Sequence, residues 1–252
     1  MSNTDYKKIF EQVTGLKPNK KIIKMLDDLK FSFKDKNYKE LDPYVVIQLN
    51  LMAEKVTNNE TSFFRDNEVF QVIKDKFLND AMKIWSAGCS FGQEAYSLAL
   101  LKNNIGQNKK FQIYATDISK KVLESAKEGT YQIHRTSEKK LIVSFLPNLS
   151  SQLGKNVNNN LELKMPTLIK DKISFNQHNL LTPPHKIEFD LIMCRNVLIY
   201  MNEEARHKVF KNLSQAIKPM GWLVMGSADP KPPKPWKMFS IKNSIFWQYQ
   251  KN

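Results

Sequence analysis

The sequence contains little cysteine, and the positions of its cysteines exclude common uses of that residue. Cys89 and Cys194 are the only two in 252 residues, and they have neither CxxC spacing nor a histidine-rich neighbourhood. This pattern gives no indication of a zinc site. We therefore predict no bound metal and expect a reduced, cytoplasmic protein.

Long apolar runs are also missing from the chain. No run approaches the roughly 18 apolar residues that a membrane span requires. The first residues, MSNTDYKKIFEQ, lack the apolar core of a secretory signal. Hydrophobic residues make up 41% of the chain and charged residues 25%, which is typical of a globular protein. We expect no membrane insertion.

Arginine is scarce in a chain that is otherwise strongly basic. The net charge is +14, yet the arginines are limited to Arg65, Arg135, Arg195 and Arg206. The charge predicts an acidic partner, which could be nucleic acid, an anionic membrane or an acidic protein surface. Among so many lysines, an arginine indicates a planar or bidentate contact that lysine cannot make.

The chain changes its apolar spacing near residue 82. Before it, helical spacing predicts helices over 22–29, 45–56 and from 67 to about 78, with Asp42-Pro43 at the start of the second. After it, strands alternate with helices, which predicts an α/β fold with a mainly parallel sheet. The predicted strands cover 82–86, 111–116, 189–194 and 222–225, and the predicted helices 92–102, 119–128 and 203–217, the last capped by Asn202.

This division predicts an N-terminal helical domain with a linker over 1–66 and a second domain over 67–252. Within the second domain, a polar loop and the segments LELKM and LIKDKISF predict a small antiparallel β insertion at about 147–176. The C-terminal FSIKNSIFWQYQ predicts a hairpin that turns at Lys242-Asn243 and closes the sheet with antiparallel strands.

The turn after the first predicted strand, in IWSAGCSFGQE, suggests a ligand site. It lacks the Gly-Lys-Ser/Thr of a phosphate loop and the third glycine of a dinucleotide fingerprint, and Glu94 would repel phosphate. A nucleoside with a positive portion, such as S-adenosylmethionine, fits this chemistry. Glu94 could bind its cationic end, or it could merely complement the dipole of the following helix. Cys89 has no histidine near it in sequence, and we do not expect it to be a nucleophile.

Two further strands end in polar residues. Asp117 ends the second strand, where an acid can bind ribose hydroxyls, although it could also cap the next helix together with Ser119. The apolar strand FDLIMC ends abruptly at Arg195-Asn196, at the edge where such sheets bind ligands.

With these motifs in order, the sequence resembles the chemotaxis receptor methyltransferase family (CheR). The resemblance lies in NNETSFFRD (58–66), WSAGCSFGQEAYS (85–97), ATDIS (115–119), HNLL (178–181) and CRNVLIYM (194–201). It implies a Rossmann-like class I methyltransferase sheet with an N-terminal all-α domain and a small antiparallel β insertion. It also implies S-adenosylmethionine as cofactor, S-adenosylhomocysteine as product, and O-methylation of glutamates on methyl-accepting chemotaxis receptors.

The resemblance implies a role for each motif. Asn59, Thr61 and Arg65 would contact the cofactor or lie beside the transferred methyl group, and Tyr200 would lie near the substrate. Phe63 and Phe64 have a simpler expected role as core anchors that hold Arg65. The predicted cofactor site is Asn59, Thr61, Arg65, Gly88, Glu94, Asp117, Asn179, Leu180, Arg195 and Asn196, and the predicted catalytic residues are Arg65 and Tyr200.

The predicted chemistry needs few catalytic groups. A glutamate with a pKa near 4.3 is ionised at neutral pH, so it attacks carbon without a general base. Two alternatives remain open from the sequence. One is a nucleic-acid methyltransferase, for which TPPH (182–185) is a poor match and lies before the relevant strand. The other is a cofactor-binding adaptor without transferase activity.

Overall fold

The computed structural model describes most of the chain. The described residues are 3–29, 45, 49, 52, 61–78, 82–104, 111–133, 136–145, 153–155, 161–184 and 188–250. Within them, no helix is both long enough and apolar enough to cross a bilayer.

Helices build the N-terminal part of the described chain. Helix α1 covers Asn3–Thr14, α2 Lys20–Leu29 and α3 Asn67–Lys76. Val45, Leu49 and Met52 are helical and buried. Their spacing of three and four residues puts them on one helix face. The helices predicted from apolar spacing at 22–29 and 67–78 are thus confirmed, whereas the predicted start at Asp42-Pro43 lies outside the described residues.

A seven-stranded sheet forms the centre of the molecule. Its spatial order is β6-β2-β1-β7-β8-β10-β9, and the first five strands of that order run parallel. The strands are β1 Met82–Ala87, β2 Phe111–Asp117, β6 Ile173–Gln177, β7 Phe189–Cys194, β8 Ile217–Met225, β9 Trp236–Ile241 and β10 Ser244–Tyr249. This is the predicted α/β sheet.

Both faces of the sheet are covered. Ile84 and Met193 belong to one apolar core, and their neighbours Trp85 and Ile192 belong to the other. Alternate residues of a strand point to opposite faces, so burial on both sides explains why these strands are continuous apolar runs. The covering helices include α4 Gln93–Asn104, α5 Lys120–Glu128 and α8 Glu203–Ala216.

The C-terminal hairpin forms as predicted. Strands β9 and β10 pair antiparallel about Lys242 and Asn243, which have φ values of 46° and 64°. Two successive left-handed residues match the twist of a two-residue hairpin loop.

The predicted β insertion differs from the observed one. A three-stranded antiparallel sheet exists, but its strands are β3 Thr130–Ile133, β4 Leu153–Lys155 and β5 Leu161–Lys164, with helix α6 at Thr136–Phe145. The prediction that LIKDKISF belongs to this unit is wrong. Its first half is the short helix α7, Thr167–Lys170, and its second half begins β6, which pairs with β2 in the main sheet.

Candidate functional site

The carboxyl ends of β1, β2 and β7 open into one cleft. These neighbouring parallel strands end on the same edge of the sheet, where open α/β folds bind ligands. Ten of the predicted site residues line this cleft: Thr61, Arg65, Gly88, Glu94, Asp117, Asn179, Leu180, Arg195, Asn196 and Tyr200. Asn59 lies outside the described residues.

The glycine turn after β1 is fixed by the end of β2. The N–H groups of Gly88 and Cys89 both donate to the carbonyl oxygen of Thr116, at 2.8 and 2.9 Å. Gly88 has a φ of 83°, and a Cβ atom there would lie 2.5 Å from Cγ2 of Val197. Left-handed geometry and close approach therefore both require glycine at this position.

Glu94 lies in the first turn of α4 and faces the cleft. Its Oε1 accepts a 2.7 Å hydrogen bond from the hydroxyl of Ser86, and its Oε2 lies 3.5 Å from Nη1 of Arg195. Burial raises the pKa of Glu94 above its usual value, while Arg195 and the Ser86 hydroxyl oppose that rise. The carboxylate is thus held between a neutral donor and a cation.

Asp117 at the end of β2 ties two loops together. Its Oδ2 accepts from the N–H of Ser90 at 2.8 Å, and its Oδ1 accepts from the N–H of Ser119 at 3.0 Å. Burial raises its pKa, and these hydrogen bonds act in the opposite direction. Ser119, not Asp117, is the N-cap of α5, because its side chain accepts from the N–H of Val122.

Arg195 lies between two carboxylates. Its guanidinium pairs with Asp66 as well as with Glu94, and it stacks 5.8 Å above the ring of Phe70. Its side chain is only 3% exposed, and within the described residues its Nε makes no hydrogen bond. A planar, stacked and doubly paired cation is the role that the scarcity of arginine indicated. Sequence reasoning did not assign Asp66, although it lies in the quoted motif NNETSFFRD.

The segment before α3 places Arg65 and Asp66 by anchoring the residues before them. Phe63 and Phe64 are 3% and 2% exposed, as expected of core anchors. The Phe63 N–H donates to Glu138, and the Phe64 N–H donates to the hydroxyl of Ser97. Two anchored aromatic residues therefore leave Arg65 at the cleft.

The loop after β6 forms another wall of the cleft. Oδ1 of Asn179 accepts from the N–H of Leu181 at 2.9 Å. The amide of Asn212, from α8, donates to the carbonyl oxygens of Leu180 and Thr182 at 2.8 and 2.9 Å. His178 lies beside them, with its ring centroid 5.7 Å from that of Trp85.

Sequence reasoning missed Asp229, which lies after β8 and holds the turn after β7. Asp229 accepts hydrogen bonds from four backbone N–H groups, including that of Asn196, and burial raises its pKa. Asp229 follows the carboxyl end of β8, so an acid just after a predicted strand was the available signal. Thr14 and Leu16 also line the cleft and were not predicted.

The chemistry of the cleft suits a nucleoside sulfonium. It offers partly buried carboxylates, Glu94 and Asp117, on either side of a glycine turn, and the Nε of Arg195 is a buried donor that finds no acceptor in the described part of the chain. Cys89 is buried, and burial raises the pKa of its thiol, so it is a poor nucleophile.

Comparison with known proteins gives the family. Residues 59–244 match the model of the CheR methyltransferase, SAM binding domain. A chemotaxis protein methyltransferase of Borreliella burgdorferi is 32% identical over 73% of this chain and 68% of its own length. Chemotaxis protein methyltransferase 1 of Pseudomonas aeruginosa is 32% identical over 71% of this chain and 69% of its own.

Among solved structures, a TehB-like SAM-dependent methyltransferase from Corynebacterium glutamicum is 14% identical, with a TM-score of 0.44 over 82% of this chain and 96% of that chain. The family match covers well over half of the sequence, and S-adenosylmethionine is the cofactor of the matched domain. This chain is a member of the CheR family of S-adenosylmethionine-dependent chemotaxis methyltransferases.

Proposed function

We propose that this chain transfers the methyl group of S-adenosylmethionine to glutamate side chains on the cytoplasmic domains of chemotaxis receptors. The products would be glutamate methyl esters and S-adenosylhomocysteine. The observation that carries the proposal is the cleft itself, in which acids lie around the glycine turn and Arg65 and Tyr200 lie along the same walls. The names of the relatives support a role in chemotaxis.

We propose that carboxylates hold the two ends of the cofactor. Glu94 would accept from its amino group, and Asp117 would accept from the ribose hydroxyls. The Asp117 carboxylate accepts backbone N–H groups from Ser90 and Ser119, with a further contribution from that of Ile118, and a carboxylate has about four acceptor positions, so capacity remains for a ribose hydroxyl. Thr61, Asn179, Leu180, Arg195 and Asn196 would complete the pocket, together with Gly88 and Asn59.

The bound cofactor supplies an electrophilic methyl group on sulfur. The protein then has to align the incoming carboxylate with that methyl and exclude water, which can supply most of the rate. We propose that Arg65 and Tyr200 orient the substrate carboxylate. An ionised glutamate needs no general base. The reaction therefore does not require an ionised thiol at Cys89, whose pKa is raised by burial.

The proposal is tested by incubating the protein with radiolabelled S-adenosylmethionine and receptor signalling domains from the same organism. We expect label on the receptor that alkali releases as methanol, as an ester requires. Control reactions contain receptor domains whose candidate glutamates are changed to alanine. Cofactor binding without transfer to any receptor domain would favour an adaptor, and labelled bases in added DNA or RNA would favour the nucleic-acid alternative.

The proposed role of Arg65 predicts a catalytic defect. Arg65→Ala should lower kcat on receptor domains about tenfold or more, equivalent to about 1.4 kcal/mol of barrier, with little change in melting temperature. Lys242→Ala is the matched control, since it removes a cation that pairs with Asp75 on the surface, outside the cleft. An Arg65→Ala enzyme as active as the Lys242→Ala enzyme would remove Arg65 from the reaction.

A further inference from the structure

One carboxylate holds the turn that carries Asn196 and Tyr200. Asp229 follows β8, and each of its oxygens accepts two backbone hydrogen bonds. Oδ2 accepts from the N–H of Asn196 at 2.5 Å and of Gly226 at 2.9 Å. Oδ1 accepts from the N–H of Leu198 at 3.0 Å and of Ile199 at 3.2 Å. The turn after β7 is therefore organised around a side chain from the loop that follows β8.

A cation holds the other side of the same turn. Arg206, from the first half of α8, donates from Nε to the carbonyl oxygen of Leu198 at 3.0 Å. Its Nη2 donates to the carbonyl oxygen of Ile199 at 3.4 Å. Leu198 and Ile199 thus each donate an N–H to the carboxylate of Asp229 and each accept at C=O from the guanidinium of Arg206. Hydrogen bonds between a charged group and a backbone group are stronger than those between two neutral groups.

The backbone of this turn is closely constrained. Asn196 has a φ of 59°, in the left-handed region that few non-glycine residues adopt but that asparagine tolerates better than most. Gly226 leaves no free space beside it, because a Cβ atom there would lie 2.8 Å from both Nδ2 of Asn196 and Oδ2 of Asp229. The hydrogen bond from the Asn196 N–H to Asp229 and the close approach of Gly226 are thus compatible with only a narrow range of positions for Asn196.

We propose that Asp229 is a positioning residue of the methyltransferase, assisted by Arg206. It sets the turn so that Asn196 faces the cofactor while Tyr200, at the end of the same turn, faces the substrate. Both Asn196 and Tyr200 line the cleft, whereas Asp229 acts through them. The inference rests on the roles proposed for those two residues, and it adds a link between the cofactor side and the substrate side of the site.

The test is Asp229→Asn in the full chain. An asparagine keeps the shape but turns one oxygen into an NH2 donor, which then opposes two N–H donors. Amide hydrogen exchange should rise at residues 196–199. Affinity for S-adenosylhomocysteine, measured by calorimetry, should fall at least threefold, and kcat on receptor domains should fall at least tenfold.

Asp190→Asn is the matched control. Asp190 also accepts from a backbone N–H, that of Lys83 at 2.8 Å, and pairs with Lys218 at 2.6 Å, but it does not line the cleft. We expect its loss to lower the melting temperature while affinity and kcat stay within twofold of the unmodified protein. If Asp229→Asn behaves in the same way, Asp229 is only structural and the proposal fails.

A milder variant keeps the test decisive if Asp229→Asn does not fold. Arg206→Gln removes the cation that binds the carbonyl oxygens of Leu198 and Ile199. It should lower kcat at least threefold and speed amide hydrogen exchange at residues 198–199. If neither kcat nor the exchange rate changed, the proposal would be overturned. Absence of receptor methylation by the unmodified protein would sink the proposed substrate instead. The exchange and the S-adenosylhomocysteine affinity would then still decide the role of Asp229.

Discussion

At the scale of single residues, the acids that line the cleft also hold the surrounding loops in place. Asp117 joins the glycine turn to the start of α5 through the N–H groups of Ser90 and Ser119. Glu94 joins β1 to β7 through Ser86 and Arg195. Replacing either acid by alanine would therefore loosen loops as well as remove the proposed ligand contact, so an isosteric amide is the cleaner substitution.

The environment of Glu94 predicts a pH dependence. Burial raises its pKa, so the carboxylate takes up a proton at a higher pH than an exposed glutamate does. If the ionised form binds the cofactor's amino group, affinity for S-adenosylhomocysteine should weaken as the pH falls from about 8 towards about 5. Calorimetry across that range measures it, and Glu94→Gln should weaken binding at pH 8 and flatten the curve.

The same shift has a defined sign for stability. Because the folded-state pKa is the higher one, the folded protein binds this proton more tightly than the unfolded chain. The contribution of Glu94 to the free energy of unfolding therefore decreases as pH rises through the interval between the two pKa values. The affinity measurements give the decisive comparison for binding. If the affinity of Glu94→Gln for S-adenosylhomocysteine changed with pH in the same way as that of the unmodified protein, Glu94 would not bind the ligand.

At the scale of elements, local sequence signals predicted the helices better than the small strands. Helix α8 begins where Asn202 predicted, because the Asn202 side chain accepts from the N–H of Ala205 at 2.9 Å. It ends at Ala216, one residue before the prediction, because β8 begins directly at Ile217. The strand there is longer than predicted, since Gly221 and Pro219 interrupt its apolar pattern in the sequence.

The cap of α8 predicts a stability effect. Asn202→Ala should lower the free energy of unfolding by about 1 kcal/mol, because an N–H at the start of the helix loses its acceptor. Denaturant unfolding measures it. Ser119→Ala is the comparison, and we expect a smaller loss because Ser119 accepts from Val122 at 3.5 Å. A loss at Ser119 equal to that at Asn202 would contradict this ranking.

At the scale of the whole molecule, charge separates docking from cofactor binding. The chain carries +14, whereas the described lining of the cleft sets two acids, Glu94 and Asp117, beside two arginines, Arg65 and Arg195. We propose that the positive surface attracts acidic receptor domains, and that the cleft holds a cationic nucleoside through short-range contacts with its two acids rather than through a net negative charge.

This separation predicts different salt responses. Raising the ionic strength should increase the KM for receptor domains several-fold, because exposed charges more than about 8 Å apart are screened at physiological salt. Affinity for S-adenosylhomocysteine should change less than twofold, since its proposed contacts are short-range and lie in a partly buried cleft. Steady-state kinetics and calorimetry at matched salt concentrations test this. Equal weakening of both would show that surface charge does not guide the receptor.

Much of the fold and most of the site were predictable because their signals are local. Apolar runs gave β1, β2 and β7, and Lys242-Asn243 gave the final hairpin. Asp117 and Arg195 stand at or directly after strand ends, and Glu94 lies in the first turn of the helix that follows β1. The ends of neighbouring parallel strands must meet at one edge. The division into domains at residue 66 stays a prediction, as do the roles of the individual site residues.

The sequence by itself determined the type of sheet, the glycine turn at the candidate cleft and the family. Only the tertiary structure decided which groups hold those residues in place. Asp66 meets Arg195 across 129 positions of the chain, and Asp229 meets Asn196 across 33. It also decided that 173–177 joins the main sheet rather than the insertion. The physical reason is that local patterns specify how a segment bends and which face it buries, whereas an ion pair or a strand register depends on which distant segment packs against it.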